Sequence, residues 1–252
     1  MSLVHNKYFK AFITAIHFQL SSKAQLIARI GLYSLIVYLF SQVFTATGAE
    51  DERIWYVATT QLIVLSVCPL AFQMAQDFSN NKYESFLLKP FNYLSLRYCE
   101  AMGASIIQYI TLFACYLLLC RTLTNTFPEI RSLLLGFFYG ILSMTLYLVM
   151  NAIIGLFSFW VRDIKTLHFL NLTAAFCFGG LIVPLESYSA IMKQICFCTP
   201  YPWILWAPAQ MTNNMISIYT SVAFISAWIF LFYFILRIVN NRCEQSFLHG
   251  NN

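Results

Sequence analysis

Residues able to carry out acid-base, nucleophilic or metal chemistry are few and scattered in this sequence. The four histidines, at positions 5, 17, 168 and 249, share no spacing typical of a metal site or a catalytic pair. The sequence has no G-x-x-x-x-G-K-[ST] phosphate loop, no H-E-x-x-H, no G-x-S-x-G and no dinucleotide-binding glycine motif. We therefore expect no catalytic residue, no metal site and no bound cofactor in this chain.

The polar residues that fall within apolar segments are neutral: Gln61, Gln108, Asn151 and Asn171. No ionisable residue falls at mid-membrane depth. Hydrogen bonds between helices explain such residues without any substrate, whereas a transport pathway is the alternative. Near the end of one apolar segment, Arg97 can form an ion pair with Glu100, three residues further on.

Glycines and a proline mark places where helices can approach closely or bend. Gly136 and Gly140 are four residues apart, which permits close helix packing. Gly179 and Gly180 precede Pro184, and this cluster is typical of a bend. Packing within one chain is the favoured interpretation of both groups.

The composition is that of a membrane protein. The chain of 252 residues is 60% hydrophobic and 10% charged, whereas soluble domains carry about 25% charged residues. The formal net charge is +5. In so apolar a chain, a basic excess indicates cytoplasmic loops, and we expect no nucleic-acid partner.

Six apolar segments approach the length of about 20 residues that a helix needs to cross a bilayer. They cover residues 30–47, 55–74, 102–120, 133–160, 167–185 and 216–239. Lipid offers the backbone no hydrogen-bond partner, and no alternation typical of barrel strands is present. The sequence therefore predicts an all-α transmembrane fold, a single six-helix polytopic domain over residues 1–252.

The distribution of basic residues predicts the orientation. With the N-terminus inside, eleven of the 15 Lys and Arg residues face the cytoplasm, and four face outward: Arg53, Arg121, Arg131 and Lys193. This agrees with the positive-inside rule. Six spans then place both termini in the cytoplasm.

Three further elements are predicted outside the spans. Residues 8–22 carry apolar side chains at helical spacing, which predicts an interfacial helix, with a cytoplasmic extension of the first span as the alternative. Residues 186–215 are broken by Pro200, Pro202 and Pro208, which predicts short external helices that re-enter the outer leaflet between spans five and six.

The third element is a cytoplasmic loop over residues 77–97. Ser79 or Asn80 can cap a short helix that must end before Pro90. Its apolar residues suit the groove of a cytoplasmic partner, and the alternative is a helix resting on the membrane surface: Tyr83, Phe86, Leu87 and Leu88.

Two stretches resemble the membrane subunits of ABC transporters of the type-2 exporter class. Asn81-Lys-Tyr-Glu-Ser-Phe-Leu-Leu-Lys-Pro90 resembles the loop where those permeases have a small residue, an apolar helix and a Leu-Leu-basic-Pro ending. The stretch from Phe176 to Gln210 resembles their fifth span and external helices. It contains Gly179-Gly180, Pro184, Thr199-Pro200-Tyr201 and Ala207-Pro208.

The resemblance implies a permease subunit that is not itself an enzyme. It would form half of a translocation pathway in the bacterial inner membrane, in contact with lipid and with a second permease copy or paralogue. ATP and Mg²⁺ would be bound by separate ATP-binding subunits. The cytoplasmic loop would be the coupling helix, with these residues facing the ATPase: Asn81, Tyr83, Glu84, Phe86, Leu87, Leu88, Lys89 and Pro90.

The sequence departs from the family pattern at two positions. Asn81 stands where relatives often have Gly, and Asn tolerates the left-handed backbone that such a turn needs. Ser189 stands near a position where relatives often have Pro, at the start of the external helices.

Two other functions are compatible with an apolar helical chain. A membrane-embedded enzyme of lipid or quinone metabolism should have clustered His, Asp or Glu near one membrane face, whereas the predicted cytoplasmic acids show no repeated spacing of that kind. A membrane assembly subunit that transports nothing is the third hypothesis.

Overall fold

A computed structural model of the protein describes residues 2–46, 51–87, 92–124, 127–161, 163–212 and 217–249, with the backbone alone for residues 2–6, 84, 87 and 247–249. These residues contain helices and no strand. The first six helices are α1 Ser2–Ser21, α2 Lys23–Ala46, α3 Asp51–Ser66, α4 Leu70–Ser79, α5 Lys82–Leu87 and α6 Tyr93–Leu123.

The second half of the chain begins with two helices, continues through short turns and ends in the longest helix. Its elements are α7 Ile130–Phe157, α8 Ile164–Gly179, a 3-10 turn Leu185–Ser187, α9 Ala190–Phe197, α10 Tyr201–Ile204, α11 Trp206–Thr212 and α12 Ile218–His249. The predicted helical class is confirmed for the described residues.

Five helical segments are long and apolar enough to cross a membrane. Within the described ranges these are α2, the α3 and α4 pair, α6, α7 and α12 as far as Ser246. The protein is therefore a multi-pass membrane protein. The segment predicted as the fifth span forms α8, whose 16 residues extend about 24 Å at 1.5 Å per residue. A hydrocarbon core is about 30 Å thick, so six spans remain a prediction.

The second predicted span is two helices rather than one, because Pro69 interrupts it. Proline has no backbone N–H to continue a helix, and α4 begins directly after it. The Arg29 guanidinium of α2 donates to the Leu65 carbonyl, 2.6 Å away. The Cys68 N–H donates to the Ser105 hydroxyl of α6 at 2.9 Å. Neighbouring helices thus satisfy backbone groups that the break leaves open.

Helices α3 and α7 occupy the centre of the bundle. Helix α3 packs against α2, α6, α7 and α11, and α7 packs against α4, α6, α11 and α12. Helices α2 and α12 lie at the flanks and leave most of their apolar side chains exposed. Such faces are suited to lipid or to another membrane helix.

Helix α1 lies along α6 rather than apart from the bundle. A Cβ atom at Gly103 of α6 would lie 2.6 Å from the Phe12 carbonyl oxygen, so the glycine permits this close approach. The Asn92 N–H donates to the Tyr8 hydroxyl at 3.0 Å. Phe9 and Leu20 of α1 are exposed, as an interfacial helix requires.

The short helices α9, α10 and α11 lie at the end of the bundle opposite α5, and α10 and α11 are buried in the chain. Helix α8 ends at Gly179 and is capped by Gly180, whose φ of 65° is left-handed. The Tyr56 hydroxyl donates to the Gly180 carbonyl at 2.5 Å, and the Thr60 hydroxyl donates to the Leu181 carbonyl at 2.7 Å. These two bonds attach the turn after α8 to α3.

Candidate functional site

The loop between α4 and α6 begins with a tight turn. The Asn80 N–H donates to the Gln76 carbonyl, and the Asn81 N–H donates to the Phe78 carbonyl at 3.2 Å. Asn81 has a φ of 54° and is the one non-glycine residue with a positive φ in the described part of the chain. Asparagine adopts this conformation more readily than most residues, so the turn can redirect the chain straight into α5.

Five aromatic residues hold α5 against the bundle, and we call them the loop-base cluster: Phe78, Tyr83, Phe86, Tyr93 and Phe159. The rings of Phe78 and Tyr83 lie 4.8 Å apart, and those of Tyr83 and Tyr93 lie 5.0 Å apart at 87°. Aromatic pairs prefer such edge-to-face contacts. The cluster joins α5 to the ends of α4, α6 and α7.

Tyr83 is the centre of the loop-base cluster. It is 1% exposed, and its hydroxyl lies close to the Cys243 thiol of α12. Burial raises the pKa of the Tyr83 hydroxyl, so the side chain stays neutral. Tyr83 therefore faces its own chain, and its side chain is not part of the outer surface of α5.

A buried carboxylate joins the two ends of the loop. Asp77, near the end of α4, is 4% exposed. It accepts a hydrogen bond from the Tyr93 hydroxyl at 2.9 Å and pairs with Arg97 of α6 at 2.6 Å. Arg97 also pairs with Glu100 at 2.7 Å, which confirms that predicted ion pair. The guanidinium carbon further lies 5.5 Å from the centre of the Phe86 ring, over its face.

The outer surface of α5 is small and polar where the structure describes it. Asn81, Lys82 and Ser85 are exposed, and Phe86 is partly buried against Tyr93. The side chains of Glu84 and Leu87 lie outside the described residues, as do Leu88, Lys89 and Pro90 altogether. Their predicted contact with an ATPase remains a prediction.

The four neutral polar residues predicted within spans are all buried, but they lie in different surroundings. Gln61 is buried in α3, and the Asn151 amide donates to the Tyr147 carbonyl of its own helix at 2.9 Å. The Asn171 side-chain oxygen accepts from the Tyr201 hydroxyl at 3.0 Å. Asn171 lines a mostly apolar cavity of about 550 Å³ between α7, α8 and α12. Gln108 lines a separate cavity, and the role of these four residues in a translocation pathway remains a prediction.

The predicted glycines are at close contacts within the chain. A Cβ atom at Gly136 would lie 2.5 Å from the Thr212 methyl group of α11, and at Gly140 it would collide with the Tyr109 hydroxyl of α6. At Gly179 it would lie 2.7 Å from the side chain of Leu205, the residue that follows α10. Gly180 caps the end of α8, and Pro184 precedes the 3-10 turn.

A cavity of about 600 Å³ with a mixed polar and apolar lining lies at the side of the bundle near α1. Its walls come from α1, the start of α2, the break between α3 and α4, the first turn of α4 and the first half of α6. Seven polar or charged side chains line it among apolar ones: Thr14, Gln19, Gln25, Gln73, Arg97, Glu100 and Gln108. The sequence predicts Gln108 as a buried polar residue and Arg97 and Glu100 as an ion pair, but it does not predict that they share a cavity with the other residues of this group.

The residues missed by sequence reasoning belong to contacts between distant segments. Asp77 pairs with Arg97 across twenty positions, and Gln19 shares a cavity with Gln108 across about ninety. The available signal for the first pair was opposite charge at the two ends of one loop. No comparable signal marks the second pair, because Gln19 and Gln108 lie in different helices and no pattern along the chain relates them.

The described residues contain no group of three or more His, Cys, Asp or Glu side chains that could hold a metal ion. Comparison with protein-family models finds no match for the chain, and neither does comparison with curated proteins.

Proposed function

We propose that this chain is the permease subunit of an ATP-driven ABC exporter of the type-2 class. It forms half of a translocation pathway and couples to a separate ATP-binding subunit. The observation that carries the proposal is the attachment of α5, through Tyr83, to several membrane helices at once. A short helix of this kind can pass a movement from a soluble partner to the spans.

The loop-base cluster supplies the mechanical link that coupling needs. Tyr83 contacts α4 through Phe78, α6 through Tyr93 and α12 near Cys243. The Asp77 and Arg97 ion pair holds the ends of α4 and α6 together. Packed elements move as rigid bodies when a partner displaces one of them. A displacement of α5 therefore reaches the membrane helices directly.

The surface offered to the ATPase is the exposed side of α5, with Lys82 and Ser85, continued by the residues up to Pro90. The ATPase binds ATP and Mg²⁺ and performs the hydrolysis, and this chain performs no covalent chemistry. Domain closure in the ATPase supplies the energy for alternating access.

The second half of the pathway is another permease, as a second copy of this chain or a paralogue. The exposed apolar faces of α2 and α12 supply the surface for that permease and for lipid. The complex belongs in the bacterial inner membrane, with both termini and α5 in the cytoplasm, as the positive-inside distribution favours.

The test is purification of the chain from its native membranes in mild detergent, followed by identification of the co-purifying proteins. We expect a P-loop ATPase in stoichiometric amount and ATP-dependent export activity in reconstituted vesicles. Charge reversal by Lys82→Glu should lower the retained ATPase about tenfold, since an interface charge pair can contribute about 1.5 kcal/mol or more.

Arg131→Glu is the matched control, because it reverses an exposed charge at the opposite end of the bundle. It should leave ATPase retention unchanged. The proposal is wrong if no ATPase accompanies the wild-type chain, or if site-directed labelling places Lys82 on the outer side of the membrane.

A further inference from the structure

A further cavity, of about 580 Å³, lies between the start of α6, the second half of α7 and the middle of α12, and we call it the α12 cavity. Helices α6 and α12 both pack against α7, which contributes Thr145 and Val149 to the lining. Along α12 the lining extends from Ile229 to Asn241, which is about 18 Å at 1.5 Å per residue. The cavity is therefore elongated along the helix axis.

Arg237 is the one charged side chain that lines the α12 cavity among the residues that the structure describes. Its Nε and Nη2 atoms donate to the Tyr233 hydroxyl at 3.1 and 2.9 Å. A guanidinium has five N–H donors, and Arg237 forms no ion pair with a described residue. Glu244, the acidic residue of α12, accepts from Asn240 at 2.8 Å and does not line the cavity. The positive charge is therefore left without a carboxylate.

Neutral hydrogen-bonding side chains line the same end of the cavity. Asn92 and Ser95 come from the start of α6, and Asn241 follows Arg237 by one turn of α12. All four residues are exposed, so their polar atoms can be reached from outside the chain. The Asn92 side-chain oxygen accepts from the Ser95 N–H at 3.0 Å, which leaves the Asn92 amide hydrogens as donors. This end of the cavity suits an anion that has several acceptor oxygens, such as a phosphate group.

The part of the cavity nearer the middle of the bundle is apolar. Val149 and Ile229 line it, together with Thr145. The Thr145 hydroxyl donates to the Ile141 carbonyl of its own helix at 2.8 Å, so it offers no free donor. This part suits a hydrocarbon chain rather than a second polar group.

The cavity opens on a face of α12 that is exposed and apolar. Tyr233 lines the cavity and is 48% exposed. Phe230 and Phe234, on the same side of the helix, are 75% and 59% exposed. Since α12 is long and apolar enough to cross the membrane, this face meets lipid chains or another membrane helix.

We propose that the α12 cavity binds an anionic phospholipid, with the phosphate at Arg237 and an acyl chain extending along α12 toward Ile229. The uncompensated charge favours an anionic headgroup over a zwitterionic one. The apolar part favours a lipid over a soluble phosphate. The inference stands apart from the proposed export function, because it requires only that the chain spans a membrane.

The test measures lipid binding to the purified, delipidated full-length chain in mild detergent by native mass spectrometry. Phosphatidylglycerol should bind about tenfold more tightly than phosphatidylcholine of the same chain length. Arg237→Gln should weaken phosphatidylglycerol binding about tenfold and change phosphatidylcholine binding less than twofold. Arg242→Gln is the matched control, because it removes an exposed charge from the same helix outside the cavity, and its effect should be less than twofold.

A second pair of variants separates binding in the cavity from a general attraction between lipid and surface charge. Ser95→Phe places a ring in the charged end of the cavity without altering any charge, and it should weaken phosphatidylglycerol binding about tenfold. Ser226→Phe adds the same ring to an exposed position of α12 outside the cavity and should have less than a twofold effect. If Ser95→Phe does not fold, Arg237→Gln, which also changes an exposed residue, carries the test.

The remaining arm separates a lipid from a soluble ligand. Glycerophosphoglycerol has the same headgroup without acyl chains, and it should not displace phosphatidylglycerol at matched concentration. The proposal is wrong if the two lipids bind equally, if Arg237→Gln and Arg242→Gln have equal effects, or if the soluble compound displaces the lipid. It is also wrong if lipid is bound only by dimeric species, since a second copy would then cover this face. The assay contains no ATPase, so failure would leave the export proposal unaffected.

Discussion

Arg97 Nη2 lies 2.6 Å from Asp77 Oδ2, and this ion pair closes the loop that carries α5. The two residues belong to different helices, α4 and α6, and the Tyr93 hydroxyl donates to the same Asp77 oxygen at 2.9 Å. The loop is therefore fixed at its base while Lys82 and Ser85 stay exposed. A coupling element needs this combination of a firm base and an accessible outer surface.

The first prediction concerns this pair. Asp77→Asn removes the negative charge from a buried site while keeping an acceptor for Tyr93, and it should lower the free energy of unfolding by about 2 kcal/mol. Glu100→Gln is the matched control, since Glu100 is the more exposed partner of Arg97, and its cost should be about 0.5 kcal/mol. Unfolding in mild detergent measures both values. Equal losses would contradict the assignment of Asp77 as the main support.

The second prediction concerns Tyr83. Tyr83→Ala leaves a cavity in the loop-base cluster and should destabilise the attachment of α5 by about 3 kcal/mol. Hydrogen exchange of peptides covering residues 80–87 should accelerate, while exchange in α3 stays unchanged. Tyr219→Ala is the control because that side chain is 85% exposed. Unchanged protection of α5 would show that Tyr83 does not anchor it.

The third prediction concerns the turn at Asn81. Its φ of 54° makes glycine acceptable and a β-branched residue unfavourable. Asn81→Gly should alter the free energy of unfolding by less than about 0.5 kcal/mol, whereas Asn81→Val should cost about 2 kcal/mol. ATPase retention should follow the same order. Equal behaviour of the two variants would mean that the left-handed turn is unimportant.

The fourth prediction concerns the contact between α1 and α6. A methyl group at Gly103 meets the Phe12 main chain at 2.6 Å, and backbone cannot move aside as a flexible side chain can. Gly103→Ala should therefore cost about 2 kcal/mol. At Gly31 of α2 a Cβ atom meets nothing within 4 Å, so Gly31→Ala should be neutral or stabilising by up to about 1 kcal/mol. Thermal unfolding of the two variants measures both changes in stability, and equal changes would contradict the close contact at Gly103.

Sequence patterns predict well what depends on neighbours along the chain. Apolar segments indicated the membrane helices, and a spacing of three residues indicated the Arg97 and Glu100 pair. These features follow from helical periodicity and from the cost of exposing backbone to lipid, both of which are local.

The features that sequence patterns did not predict depend on how segments meet. The apolar pattern predicts one uninterrupted span through Pro69, whereas the structure has a break there, where Arg29 and Ser105 bond the backbone. The helical pattern predicts Tyr83 on the docking side of α5, whereas its surroundings come from α4, α6 and α12. Partners so distant in sequence leave no periodic signal.

The break at Pro69 makes the two helices that flank the loop, α4 and α6, mechanically different. Helix α6 is a continuous rod of 31 residues from the base of the loop to the far end of the bundle. Helix α4 instead has only ten residues and meets the break at Pro69. Beyond the break, α3 is hydrogen-bonded to the turn after α8. From this difference we expect a displacement of α5 to be transmitted along α6 and to be taken up as a tilt of α4 at the break.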